Sequence, residues 1–139
     1  MALDKEAVAR ALLRTVDAQG DISPFVTDDI ELMYPKWGVA RGKAELMPLF
    51  LDLGKYLTGI SHDQDSFVCM TVGNRVCIEG ESSGALVSGH SWAPDGGCAG
   101  RFCTIFEFQG DLISRVRIYI DPDYCGQTVG FYPWAKTAA

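Results

Sequence analysis

From Ile60 to Asp121 the side chains alternate with a period of two, broken by short turns. Few architectures accept that pattern, because successive side chains of a strand point to opposite faces of a sheet. ISHDQDSFVCMTV and RVCIEGESSGALV are joined by Gly73-Asn74, a two-residue turn that tolerates positive φ. A strand around SGHSWA runs into the PDGG turn. RFCTIFEF, the Gln109-Gly110-Asp111 turn and LISRVRIYID then complete a long antiparallel meander.

The alternation sorts two faces. Val76, Ile78, Phe102, Thr104, Phe106, Phe108, Val116, Ile118 and Ile120 make an apolar face suited to packing against helices. Glu79, Glu81, Glu107, Arg115 and Arg117 point the other way, interleaved with Cys77, Ile105 and Tyr119. Opposite charges there suit pairing across neighbouring strands. The face reads either as a wet outer surface or as a subunit interface, and a homodimer through it is the expectation carried forward.

Upstream, the period changes to that of helices. Val8, Ala11, Leu12, Thr15 and Val16 predict a helix over about residues 4–19, with Asp4 as N-cap and Gly20 as stop. DIELMYP predicts a short strand in which Ile30, Leu32 and Tyr34 share a face and Pro35 ends the pairing. Gly42 precedes a second helix with Leu46, Leu49, Phe50 and Leu53 on one stripe. Pro48 is expected in its first turn or at a kink, because it has no N–H to donate. Helices first and a meander afterwards define an α+β fold, a curved antiparallel sheet with helices on its concave face.

The 139 residues suit one domain spanning 1–139, and no repeat or linker divides them. A net charge of −6, with no basic cluster, argues against a nucleic-acid partner. No apolar run approaches transmembrane length and the N-terminus is not signal-like, so no membrane partner and a cytoplasmic location are expected. The five cysteines, Cys69, Cys77, Cys98, Cys103 and Cys125, show no metal-ligand spacing and read as free thiols.

VTDDIELMYPKWG, the GKAEL helix start, GNRVCIEGESSG and the closing FEFQGDLISRVRIYID resemble, in order and spacing, the SnoaL-like and ketosteroid-isomerase-like branch of the nuclear transport factor two-like superfamily. The resemblance spans nearly the whole chain and implies a cone-shaped fold around a pocket for a small apolar molecule. Ketosteroid isomerases place a base carboxylate where this chain has Tyr34 and an oxyanion-hole acid near Thr104; their first-helix tyrosine has no counterpart here. In limonene-epoxide-hydrolase relatives the catalytic positions fall near Gly80, Ser82 and Ile118. Scytalone-dehydratase-like members place a histidine that matches His62.

Tyr34, His62 and Asp121 are the candidate catalytic residues. Tyr34 is either a core tyrosine or a donor aimed into the enclosure. His62 is either a loop histidine or a proton carrier, since an unperturbed imidazole titrates near ~6.5. Asp121 either caps the turn before Pro122 or, through a bulge, reaches the pocket mouth. Leu32, Trp37, Phe50, Trp92, Thr104, Phe106 and Ile118 are the expected substrate-binding set, and the aromatic FYPW is a candidate for closing the pocket. The function these imply is metal-free and cofactor-free acid–base catalysis of lyase, isomerase or cyclase type on a bulky apolar substrate such as a polyketide, terpenoid or steroid. The alternative is a non-catalytic binding domain.

Overall fold

The structure, a computed structural model, describes residues 2–134. Helix α1 (Lys5–Asp17) begins where the Asp4 carboxylate accepts from the Ala7 N–H at 3.0 Å. Its buried residues are Ala9, Leu12 and Leu13. Of the expected stripe, Leu12 is buried and Val8 and Val16 pack against the core, while the Thr15 hydroxyl turns back to its own helix at the Ala11 carbonyl. A single 3-10 turn at Ser23–Phe25 leads into β1 (Val26–Tyr34). β2 (Gly38–Arg41), which the sequence reading did not foresee, folds back on β1.

Helix α2 (Lys43–Leu53) has no side-chain cap at Gly42; instead Glu45 accepts from the Arg41 N–H at 2.6 Å. Pro48 lies inside the helix as its sixth residue, past the first turn that was one of its two expected places. β3 (Leu57–Val72), β4 (Arg75–Leu86), the two-residue β5 (Ser91–Trp92), β6 (Arg101–Gln109) and β7 (Leu112–Ile120) form the meander. The strand order is β2-β1-β7-β6-β4-β3, with β5 beside β4. The sheet is curved and mixed: every pair is antiparallel except β1–β7, which is parallel. No helix among the described residues is long and apolar enough to cross a membrane.

The alternation holds along β4 and β6: Val76, Ile78, Thr104 and Phe106 are buried and their neighbours are not. On β7 a bulge resets it. Phe108 opposes Ile113 and Glu107 opposes Arg115, so Ser114 is the extra residue and Ile113 and Val116 both face inward. Helix α1 covers β3 and β4 and α2 covers β1 and β2, which closes the core over the concave face.

Candidate functional site

Between α1 and the concave face lies an apolar cavity of about 60 Å³. Its floor is fully buried carbon, including Leu12, Leu13, Leu32, Phe106 and Val116, and its half-buried members include Phe50, Ile60, Ile118 and Ile120. Among the described residues, three polar side chains line it: Tyr34, His62 and Thr104.

His62 opposes Ser82 in the β3–β4 ladder and is held from behind by Asp17 in the last turn of α1. One carboxylate oxygen lies 2.5 Å from His62 Nδ1 and the other accepts the His62 backbone N–H at 2.8 Å. The imidazole also meets the Phe102 ring edge-on, with centroids 4.9 Å apart. A carboxylate at Nδ1 fixes the proton there and leaves Nε2 as the basic nitrogen. Both side chains are mostly sheltered, 11% exposed for His62 and 19% for Asp17, so their attraction is weakly screened.

Tyr34 ends β1 and hydrogen-bonds through its hydroxyl to the hydroxyl of Tyr124. Burial holds the Tyr34 phenol above its ordinary value, partly offset by the Tyr124 hydrogen bond. Burial, reinforced by Tyr34, pushes Tyr124 higher still. Both phenols are therefore neutral at physiological pH, and their mutual bond uses one of their two protons. Tyr124 is carried by the loop after β7, where the Asp123 carboxylate accepts from the Gln127 and Thr128 N–H groups at 2.9 and 2.8 Å.

Of the expected site residues, Tyr34, His62, Leu32, Phe50, Thr104, Phe106 and Ile118 line this one cavity. Asp121 does not. It is exposed and accepts the Asp123 N–H at 2.9 Å, so it caps the turn before Pro122 and borders a shallow depression on the outer face. Trp37 backs the cavity without entering it, its ring edge-on to Tyr34 at 5.6 Å. Trp92 is buried elsewhere, with its ring centroid 4.4 Å from that of Tyr124 and its indole so close to Gly84 that a Cβ there would meet it at 2.3 Å. FYPW does not close the cavity: Phe131, Tyr132 and Trp134 are exposed.

Asp17 and Tyr124 were not anticipated. Asp17 left a signal, since a carboxylate in the last turn of a helix opposes the macrodipole and calls for a compensating partner. Tyr124 left none, because strand alternation ends at Ile120. Among the described residues no group of three or more His, Cys, Asp or Glu side chains is placed to hold a metal ion.

No family model and no curated protein sequence matches the chain. Solved structures do match in shape. An NTF2-like protein of unknown function from Burkholderia pseudomallei K96243 superposes with a TM-score of 0.73 at 13% identity, covering 86% of this chain and 92% of that one. A candidate polyketide cyclase from Pseudomonas putida KT2440 gives 0.71 at 15% identity, covering 91% and 98%. TerC, crystallised with polyporic acid, gives 0.71 at 15% identity, covering 91% and 93%. With its helices on the concave face of a curved sheet, the chain has the nuclear transport factor two-like fold.

Proposed function

We propose that the protein is a small-molecule enzyme of lyase, isomerase or cyclase type whose common step is proton removal beside a carbonyl. The observation that carries this reading is the Asp17–His62 pair, with His62 on the wall of a largely apolar cavity and Asp17 behind it. His62 Nε2 takes the proton, and Asp17 orients the ring and stabilises the imidazolium. The spare proton of the Tyr34–Tyr124 pair donates to the developing enolate oxygen. Returning the proton at another carbon is isomerisation, expelling a β-hydroxyl as water is dehydration, and attack on a second carbonyl is cyclisation. The candidate polyketide cyclase and the polyporic acid complex among the structural neighbours support a substrate of this kind. The cavity is well below the ~300–1,000 Å³ of pockets for drug-sized ligands. A multi-ring substrate therefore enters with displacement of half-buried side chains, Phe50 foremost.

Enolisation is read directly as deuterium uptake from heavy water into a panel of aryl and polycyclic ketones. The wild-type chain should accelerate uptake for at least one ketone that binds. His62→Gln should reduce that rate by ~10²–10⁴-fold, with a smaller loss for Asp17→Asn. Ketone binding with uptake no faster than buffer would return the protein to the binding-domain reading.

We further propose that the outer sheet face pairs with a second copy of the chain. Val68, Met70 and Val72 stand exposed on the edge strand beside Cys77 and Ile105, and the acidic and basic side chains around them suit a two-fold partner.

A further inference from the structure

Cys77 on β4 and Cys103 on β6 were expected to be unremarkable free thiols. The structure instead brings their Sγ atoms to 3.4 Å, though they lie 26 positions apart in sequence. In the register Cys77 opposes Ile105 and Cys103 opposes Glu79, so the two are diagonal neighbours on the outer face. Both are half-buried and therefore within reach of small solutes. The other cysteines are placed differently. Cys69 accepts from the Arg10 guanidinium at 3.5 Å, Cys98 is an exposed loop residue, and Cys125 lies beside Tyr56 and Asp123.

We propose that Cys77 and Cys103 are a reversible dithiol–disulfide site, oxidised by a peroxide of hydrogen peroxide type. The atoms balance in two steps. One thiolate attacks the peroxide oxygen, forming a sulfenic acid and releasing hydroxide, which leaves as water with the thiol proton. The second thiol displaces that hydroxyl, again as water, and the sulfur–sulfur bond forms. Overall two thiols lose two hydrogens and one peroxide becomes two waters; a small dithiol such as dithiothreitol reverses the change by exchange. A disulfide needs sulfurs ~2.05 Å apart, so from contact distance the two must close by about 1.4 Å, a movement that side-chain rotation and slight strand adjustment supply. The product ties β4 to β6, the strands that carry Ile78, Phe102, Thr104 and Phe106 into the core.

Burial, together with Cys77 and Glu79, holds the Cys103 thiol up at about 11. The thiolate is the reacting form, so Cys103 supplies little of it at neutral pH and oxidation should quicken as pH rises.

The inference does not rest on the proposed reaction; because a second copy on the outer face would shield both thiols, the oxidation is run over a range of protein concentrations down to one at which the chain sediments singly. The full chain is treated with dilute hydrogen peroxide at micromolar concentration, alkylated and mapped by peptide mass spectrometry. The expected result is one intrachain Cys77–Cys103 linkage with loss of two hydrogens, restored by dithiothreitol, faster at pH 9 than at pH 7, and raising the melting temperature by several degrees. Cys77→Ser and Cys103→Ser should each abolish both the linkage and the shift while leaving the reduced melting temperature nearly unchanged. Cys77 and Cys103 both recovered as alkylated thiols, or linked to Cys98, Cys125 or another chain, would overturn the assignment.

Discussion

The two faces of the sheet are made by the same strands, yet they treat polar groups in opposite ways. On the concave face most polar groups are tied to a specific partner: Asp17 with His62, Tyr34 with Tyr124, Ser82 with the Gly100 carbonyl and the Trp92 indole. Thr104 is buried on the cavity wall, and the buried side-chain atoms without a partner among the described residues are Thr27 Oγ1 and the Gln64 amide nitrogen. On the convex face the charges form a loose ladder. Arg41 and Arg115 flank Glu31 at 3.8 and 3.5 Å, and Arg115 and Arg75 flank Glu107 at 3.5 Å each. Water sets the difference. A group buried in carbon loses its solvent and must recover it from a partner, whereas an exposed ion keeps most of its hydration and gains little from pairing. The chemistry of a cavity therefore belongs to the face where polar groups are few.

The largest effect that tests this contrast is in packing. Phe106 is 0% exposed on the inner face, and its sequence neighbour Ile105 is half-buried on the outer. Phe106→Ala should lower the unfolding free energy by about 3–5 kcal/mol, and Ile105→Ala by about 1 kcal/mol, as read by urea denaturation. Equal losses would mean that the faces do not differ as described.

The next effect is in the tyrosine pair. Tyr34→Phe strips the buried Tyr124 hydroxyl of its partner and should cost about 1–3 kcal/mol. The double variant Tyr34→Phe/Tyr124→Phe should cost less than the sum of the two singles, since no unpaired hydroxyl remains. The raised phenols also give a pH signature. In the unfolded chain a tyrosine loses its proton near ~10, while the folded pair still holds its protons. Stability is thus full below that value and falls as pH rises above it. The double variant should have a flatter alkaline limb in unfolding free energy against pH, and an unchanged limb would remove the pair from the account.

How much of this was legible in the sequence follows from which physics is local. Alternation gave β4, β6 and β7 their faces, so Thr104, Phe106 and Ile118 were placed on the cavity wall before any coordinates. Strict alternation also put Asp121 outside, where it lies; a bulge does occur on β7, but at Ser114, seven residues earlier. β2 was not legible because four residues with two of them exposed at its start carry no period. Trp92 was read by its size as a pocket wall, yet its neighbour Gly84, with no side chain, lets the ring pack against the β4 backbone outside the cavity. The Asp17–His62 pairing joins a helix end to a strand 45 positions later. Such pairs depend on how helix and sheet dock, and no local pattern reports that.

The smallest effect on the fold, and the sharpest on its partnership, is at Arg117. It opposes Ile105 at the centre of the outer face and, unlike Arg115, makes no ion pair among the described residues. For a chain that stays single, Arg117→Glu swaps one solvated charge for another and should change the unfolding free energy by no more than about 0.5 kcal/mol. For a chain that pairs through this face, the same change sets a carboxylate beside Glu31 and Glu107 in a region losing water, and like charges there oppose association. Sedimentation at micromolar concentration should then show twice the chain mass for the wild type and a single chain for the variant, with unfolding of the dilute variant nearly unaltered. The thiol pair offers an internal control, because a covered face should slow peroxide oxidation of Cys77 and Cys103 at high protein concentration and an open one should not. A wild type that sediments as one chain and oxidises equally fast at every concentration would make the convex face a wet surface. Its ion ladder would then be solvation and its exposed valines and methionine an unpartnered rim.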